Sequence, residues 1–269
     1  MVALHSLSTA FQTIAHRPTL VLPAAILGLI SVLSVVAQGS VWALPVSLAQ
    51  LVAIPFVVAG FVALVEDARP GGRETRDFVA AGKRYFLTVL GGNVLLGIVM
   101  VIIAGILLVT AVLALGGFDA VFHGEFVITP VSVGIVGVVG ILGWLVSLLF
   151  RFFIPAVVVE DRRVGDALGR SVEFVTGNFL SVVGFALVAE TISLVLGLLP
   201  MWYFLYGAPT SVDEFVAAAG PSFAGTPTPL GLAILFLTGV VASLVGQTYL
   251  VCFFGECTDA QSDRPSTTY

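Results

Sequence analysis

The stretch FLTVLGGNVLLGIVMVIIAGILLVTAVLAL, from Phe86 to Leu115, carries neither a charged residue nor a proline. A helix crosses about 30 Å of hydrocarbon with about 20 mostly apolar residues, so this run is long enough to span a bilayer. Five more mostly apolar runs flank it: Pro18 to Gln38, Trp42 to Val65, Val131 to Val159, Phe179 to Tyr206 and Pro229 to Gly255. Pro18, Pro130 and Pro229 stand at or just before a first helical turn, where a missing N–H costs least. Several runs exceed the hydrocarbon thickness and must tilt, kink or project, and Pro55, Pro155 and Pro200 are the expected kinks.

Composition agrees. Of 269 residues, 58% are hydrophobic and 10% charged, whereas about a quarter of an average soluble domain is charged. Mean hydropathy is +1.11. The connecting segments are too short for a separate soluble domain, which needs about 50 residues. A single integral membrane domain over residues 1–269 is therefore expected. Its first apolar run, Thr19 to Ala37, is longer than the about 7 to 15 apolar residues of a signal peptide and reads as a retained span. Ten arginines, a single lysine (Lys83) and a pI near 5.1 suit a GC-rich or high-salt prokaryotic source. Cys252 and Cys257, five apart, form neither a metal-ligand pattern nor an i,i+4 pair and read as structural filler.

Orientation follows from the basic residues. Residues 66–85 hold Arg69, Arg73, Arg76, Lys83 and Arg84, residues 160–178 hold Arg162, Arg163 and Arg170, Arg17 precedes the first span and Arg264 lies in the tail. The alternate connections, near Gly39, from Gly116 to Thr129 and from Gly207 to Thr228, contain no Lys or Arg. The positive-inside rule then puts both termini in the cytoplasm of a cell-membrane protein. In the longest outer loop, Ser211-Val-Asp-Glu214 reads as a capping box opening a short helix, a structural plug or a lid over the outer mouth.

A pattern recurs three times. Phe78-Val-Ala-Ala-Gly82 to Phe86 before the third span matches Phe174-Val-Thr-Gly177-Asn178-Phe179 before the fifth. Val164, Ala167, Leu168, Val172 and Val175 form an apolar helical stripe, and Leu4, Leu7, Phe11 and Ile14 repeat it before the first span. The second and fourth spans both exit in Glu-Asp, at Glu66-Asp67 and Glu160-Asp161, and the sixth exits more loosely at Glu256. The expected fold is an all-α polytopic transmembrane bundle of about six helices. It is built from three parallel units, each an amphipathic cytoplasmic helix plus a transmembrane hairpin. The units cover about 1–65, 66–159 and 160–256, with a short tail at 257–269. The amphipathic segments act as elbows, and Arg73, Arg76, Lys83, Arg84, Arg162, Arg163 and Arg170 are candidate contacts to anionic headgroups of the inner leaflet.

Arg151-Phe-Phe-Ile-Pro155-Ala-Val-Val-Val-Glu160-Asp161, then Asp166-Ala-Leu168-Gly-Arg170-Ser171 and Gly177-Asn178-Phe179, carry a family resemblance. They resemble the repeated signature of a broad group of prokaryotic six-span membrane proteins related to the membrane domain of glycerophosphoryl diester phosphodiesterases. The match is close over about 30 residues and loose over the six-span layout. It implies an architecture, and it implies no chemistry: these 269 residues hold no soluble catalytic domain, so phosphodiesterase activity is not carried over. In the first unit Gly60 and Phe61 stand where the group has proline.

Catalytic signatures are missing: there is no His-Glu-x-x-His, no Gly-x-Ser-x-Gly and no phosphate-binding Gly-Lys-Ser/Thr loop. His123 and Glu125, two apart in an outer loop, lack the third group a zinc site needs. Neither enzyme activity, cofactor nor nucleic-acid partner is expected. The polar residues inside the spans are more informative, because an ionised side chain at mid-membrane costs about 2.5 to 3.5 kcal/mol on insertion scales. Glu190 lies at mid-depth in the fifth span, and the repeat brings Arg151 and Gln247 to a comparable level. Together they form a candidate intramembrane polar site for a solute, a proton or a lipid headgroup, or else Arg151 neutralises Glu190 and locks two helices. Small residues beside them, Gly140 and Gly197, would allow close approach. Asn93 and Gln50 read as interhelical hydrogen-bonding groups. The expected function is a noncatalytic membrane scaffold or lipid-associated accessory factor whose partner is the lipid bilayer, the alternative being a small-solute transporter or channel using Glu190.

Overall fold

The computed structural model describes residues 2–72, 77–114, 117, 129–206 and 229–262. Arg73, Arg76, the His123/Glu125 pair and the capping box at Ser211 lie outside the described residues. The described chain forms α1 (Val2–His16), a 3-10 turn at Pro18–Leu20 leading into α2 (Val21–Ala37), α3 (Ala43–Ala68) and α4 (Phe78–Ala114). Then come α5 (Pro130–Phe150), α6 (Phe153–Val158), α7 (Val164–Gly177), α8 (Phe179–Tyr206) and α9 (Pro229–Ser262). The fold is all-α, and six of its helical segments are long and apolar enough to cross a membrane.

One boundary differs from expectation and one expected kink takes the form of a break, each for a local reason. The segment before the third span is not a separate helix: Phe78 to Tyr85 are the first turns of α4, with no proline or turn to break them. The fourth span is interrupted at Arg151 and Phe152, one turn before Pro155. Pro155 has no N–H, so the Arg151 carbonyl loses its helical donor, and α6 restarts with Ala156 N–H donating to the Phe152 carbonyl at 3.0 Å. Pro55 and Pro200, by contrast, sit inside uninterrupted α3 and α8.

The helices pack in a broken ring. α2 packs on α3 and α9, α3 on α4, α4 on α5, and α9 on α8, while α1 lies across α9 and α8. α5 and α8, whose contact would close the ring, share no extended packing. Helices α2 and α9 cross closely, and a Cβ on Gly28 would stand 2.7 Å from Val240 Cγ2 and 3.1 Å from the Phe236 carbonyl. Between α2 and α3, Gln50 donates to Ser34 Oγ at 2.8 Å and to the Ile30 carbonyl at 3.3 Å, the interhelical role expected of it.

The core occupies one end of the bundle, where the charged residues lie. It joins Val57 to Val65 of α3, Ala81 to Val89 of α4, Phe152 to Val158, Phe174 and Val175 of α7, Val182 to Ala189 of α8 and Tyr249 to Cys257 of α9. At its centre Phe152 meets Phe174 at 4.7 Å between centroids and Phe185 at 5.5 Å, with Phe253 and Phe254 closing the cluster. The opposite halves of α4, α5 and α8 expose Ile102, Leu108, Val138, Ile141, Leu194 and Leu198, as hydrocarbon-facing helices do.

Candidate functional site

Pro155 places Arg151 at a helix interruption, so its side chain leaves the end of α5 and reaches across the open flank of the ring. Arg151 Nη1 donates to Glu190 Oε1 of α8 at 2.6 Å, and its guanidinium lies 5.6 Å from the centroid of the Phe185 ring. The pair anticipated from depth and charge is therefore formed. It is not buried by protein: the Arg151 and Glu190 side chains are 30% and 50% exposed. Nor do small residues bring the two helices together, because Gly140 and Gly197 face open space. A long guanidinium arm bridges helices that stay apart, so close backbone approach is unnecessary.

Above the phenylalanine cluster lies a cavity of about 280 Å³. Arg151 stands at its edge, Phe185 and Tyr249 form its floor, α8 supplies Ile192, Ser193 and Leu196, and α9 supplies Ala242 and Gln247. Arg151 and Gln247 thus share one space, while Glu190 is not among the lining residues and is tied to that space through Arg151. From the fourth span the cavity is lined by Arg151 and by Ile154 of α6, and by no residue of α5. The floor is closed by ring packing, Phe185 lying 4.5 Å from Tyr249 and 4.7 Å from Phe253 between centroids. Chemically, the site offers guanidinium, amide and hydroxyl donors beside aliphatic walls.

The cationic candidates separate into paired and unpaired groups. Glu160 accepts from Arg162 at 2.5 Å and from Arg170 at 3.0 Å, and Asp161 pairs with Arg84. Lys83 and Arg163 are exposed and have no ion pair among the described residues. The Glu-Asp exit of the fourth span therefore gathers the arginines around it. The other Glu-Asp exit does the same more tightly: buried Glu66 takes two hydrogen bonds from Arg69, at 2.6 and 3.0 Å, and Arg69 reaches Asp259 at 3.0 Å. Burial alone would lower the Arg69 pKa, but the hydrogen bonds and charges of Glu66 and Asp259 outweigh it and hold it above the ordinary arginine value. Sequence reading missed this cluster, although the i,i+3 spacing of Glu66 and Arg69 was a signal for half of it.

A single change at the Arg151–Glu190 pair is expected to matter. Arg151→Gln and Glu190→Gln each leave one charge inside a span, which should cost about 2.5 to 3.5 kcal/mol in thermal unfolding in detergent. Arg151→Met with Glu190→Leu should recover much of that loss. Additive single effects would show that the two side chains are not coupled.

Six hydrophobic helices of spanning length around a one-ended core define a multi-pass α-helical membrane protein. Within that class the chain belongs to the family described as a domain of unknown function, DUF7847, matched over residues 1–257. No curated protein and no solved structure matches the chain.

Proposed function

We propose that this is a noncatalytic, lipid-associated membrane protein that holds an amphiphile with an anionic group against Arg151. The carrying observation is the make-up of the cavity: packed aromatic rings beneath, and the guanidinium of Arg151, which spends one of its N–H groups on Glu190, among aliphatic walls. An acyl chain suits Ile192, Leu196 and Ala242, and a phosphate or carboxylate suits the guanidinium. A small-solute transporter or channel is the second reading, favoured by the half-exposed Glu190 at mid-span. It requires the phenylalanine floor to open. The likeness of residues 151–179 to the phosphodiesterase membrane domain enters this proposal for architecture alone, as do the three repeated units.

Native mass spectrometry after incubation with phosphatidylglycerol tests the reading. The parent protein should retain a bound phospholipid, and Arg151→Gln should bind it at least tenfold more weakly. Equal retention by both proteins, or uptake of a polar solute by protein-containing liposomes without lipid retention, would overturn it. The proposed orientation places both termini in the cytoplasm. Since Cys252 and Cys257 are buried, an impermeant thiol reagent should label Ser262→Cys only after cells are opened. Labelling in intact cells would reverse the topology.

A further inference from the structure

The first helix divides into three sides. Taking Ala10 as the reference and about 100° per residue, Ala3, Ser6, Ala10 and Thr13 fall within about 60° of one another's centre line. This side is docked on the bundle: Ser6, Ala10 and Thr13 are buried. Ser6 donates to Glu256 at 2.7 Å and Thr9 donates to its other oxygen at 2.8 Å. The Tyr249 hydroxyl donates to the Ala3 carbonyl at 3.0 Å, and a Cβ on Gly184 would be 3.8 Å from Ala3 Cβ. Ile14, Leu7, Phe11 and Leu4 lie at about 40 to 120° from the reference, and Gln12, His5 and His16 at about 200 to 240°. Helix α1 thus hides the hydroxyls of Ser6 and Thr13 and shows two large apolar side chains, Leu4 at 66% and Phe11 at 52% exposed.

The direction of the helix follows from its partners on α9. Along α1 the order is Ala3, Ser6 with Thr9, then Thr13, and their partners are Tyr249, Glu256 and Cys252. That order is not monotonic, so α1 crosses α9 instead of running beside it. Helix α1 is therefore inclined to α9, which is long enough to span the membrane. Pro18 then turns the chain directly into α2, whose exposed Val21 and Leu22 face hydrocarbon.

We propose that α1 is embedded in the leaflet at the charged end of the bundle, at the boundary between headgroups and acyl chains. Leu4 and Phe11 face the hydrocarbon, half-buried Leu7 and Ile14 lie between them and the bundle, and His5, Gln12 and His16 face water. The partner of this surface is the lipid monolayer itself. Two observations choose it over a second protein: the polar side stands nearly opposite the apolar side, and the apolar side runs on into that of a transmembrane span. Docking through Glu256 fixes which side each sequence face meets. The inference is independent of the Arg151 cavity.

Spin labels attached at Leu4→Cys, His5→Cys, Phe11→Cys and Gln12→Cys, in protein reconstituted into phospholipid vesicles, test it. Labels at 4 and 11 should be relaxed more by oxygen than by a water-soluble nickel chelate, and labels at 5 and 12 should show the reverse ratio. Nickel-dominated relaxation at all four positions overturns the proposal. Dipolar broadening at position 11 with exclusion of both relaxants also overturns it, by showing a second copy on this face. Phe11→Trp supplies a conservative check: its added emission should be quenched at least twofold more by phospholipid brominated near the headgroup than by a soluble quencher, and the opposite order overturns the proposal.

Discussion

Arg69→Met should lower the stability of the protein in mild detergent by about 3 to 5 kcal/mol, because it withdraws a two-pronged partner from a buried carboxylate. Glu66 is 1% exposed and both of its oxygens are held by the Arg69 guanidinium. Gly255 makes room for that guanidinium: a Cβ there would lie 2.6 Å from Nη1 and 2.8 Å from Nε. Arg69→Lys should recover only part of the loss, since an ammonium cannot make the two-pronged contact to Glu66 while also reaching Asp259. Arg69→Met combined with Glu66→Leu should recover more, as apolar replacement of a whole buried pair is often nearly neutral. Thermal unfolding of the three variants decides. An unchanged melting temperature for Arg69→Met would show that the cluster does not bind the end of α3 to the end of α9.

Phe152→Ala is expected to be the other severe change. Phe152 is fully buried and touches rings from α7, α8 and α9, so truncating it leaves a void at the junction of four helices. In soluble cores such a change costs about 3 to 5 kcal/mol. Part of that is transfer from water, which is smaller where the reference environment is lipid, so about 3 kcal/mol is expected here, from lost packing. Phe152→Leu should cost less than half as much. Because the same rings floor the cavity, Phe152→Ala should also admit a small polar thiol reagent to Cys252, which is buried in the parent. Slow labelling equal to that of the parent would mean that the cluster closes without Phe152.

Much of the candidate site was legible before the fold was known. Arg151 and Glu190 stand out because charges are rare inside apolar runs, and their depth along two spans made an ion pair the economical arrangement. What depth could not reveal was the environment of the pair. Side-chain length lets Arg151 reach Glu190 across a gap, so equal depth carries no information on whether α5 and α8 touch. The seven basic candidates show a second blind spot. Counting arginines at one end of a bundle does not reveal that Asp161 neutralises Arg84 and Glu160 neutralises Arg170, because those partners are brought together by the packing of α4, α6 and α7.

The first helix makes the same point from the other side. Its stripe of Leu4, Leu7, Phe11 and Ile14 was plain in the sequence, and an apolar stripe ordinarily marks the face that packs inward. Here the inward face is the one with Ser6, Ala10 and Thr13, because Glu256 and Tyr249 offer hydrogen bonds to it.

By itself the sequence determined the class, the number of spans and their approximate limits, since an uncharged apolar run of sufficient length has no other stable arrangement than a helix whose backbone polar groups are all satisfied internally. It also determined which residues were exceptional within those spans. Only the tertiary structure decided that the core sits at one end, that the ring is open between α5 and α8, that a break before Pro155 aims Arg151 at Glu190, and that Arg69 is buried between Glu66 and Asp259. Inside a membrane the hydrophobic pattern no longer distinguishes a face that meets protein from a face that meets lipid. That choice is left to shape, to a few glycines and to hydrogen bonds between residues far apart in the chain.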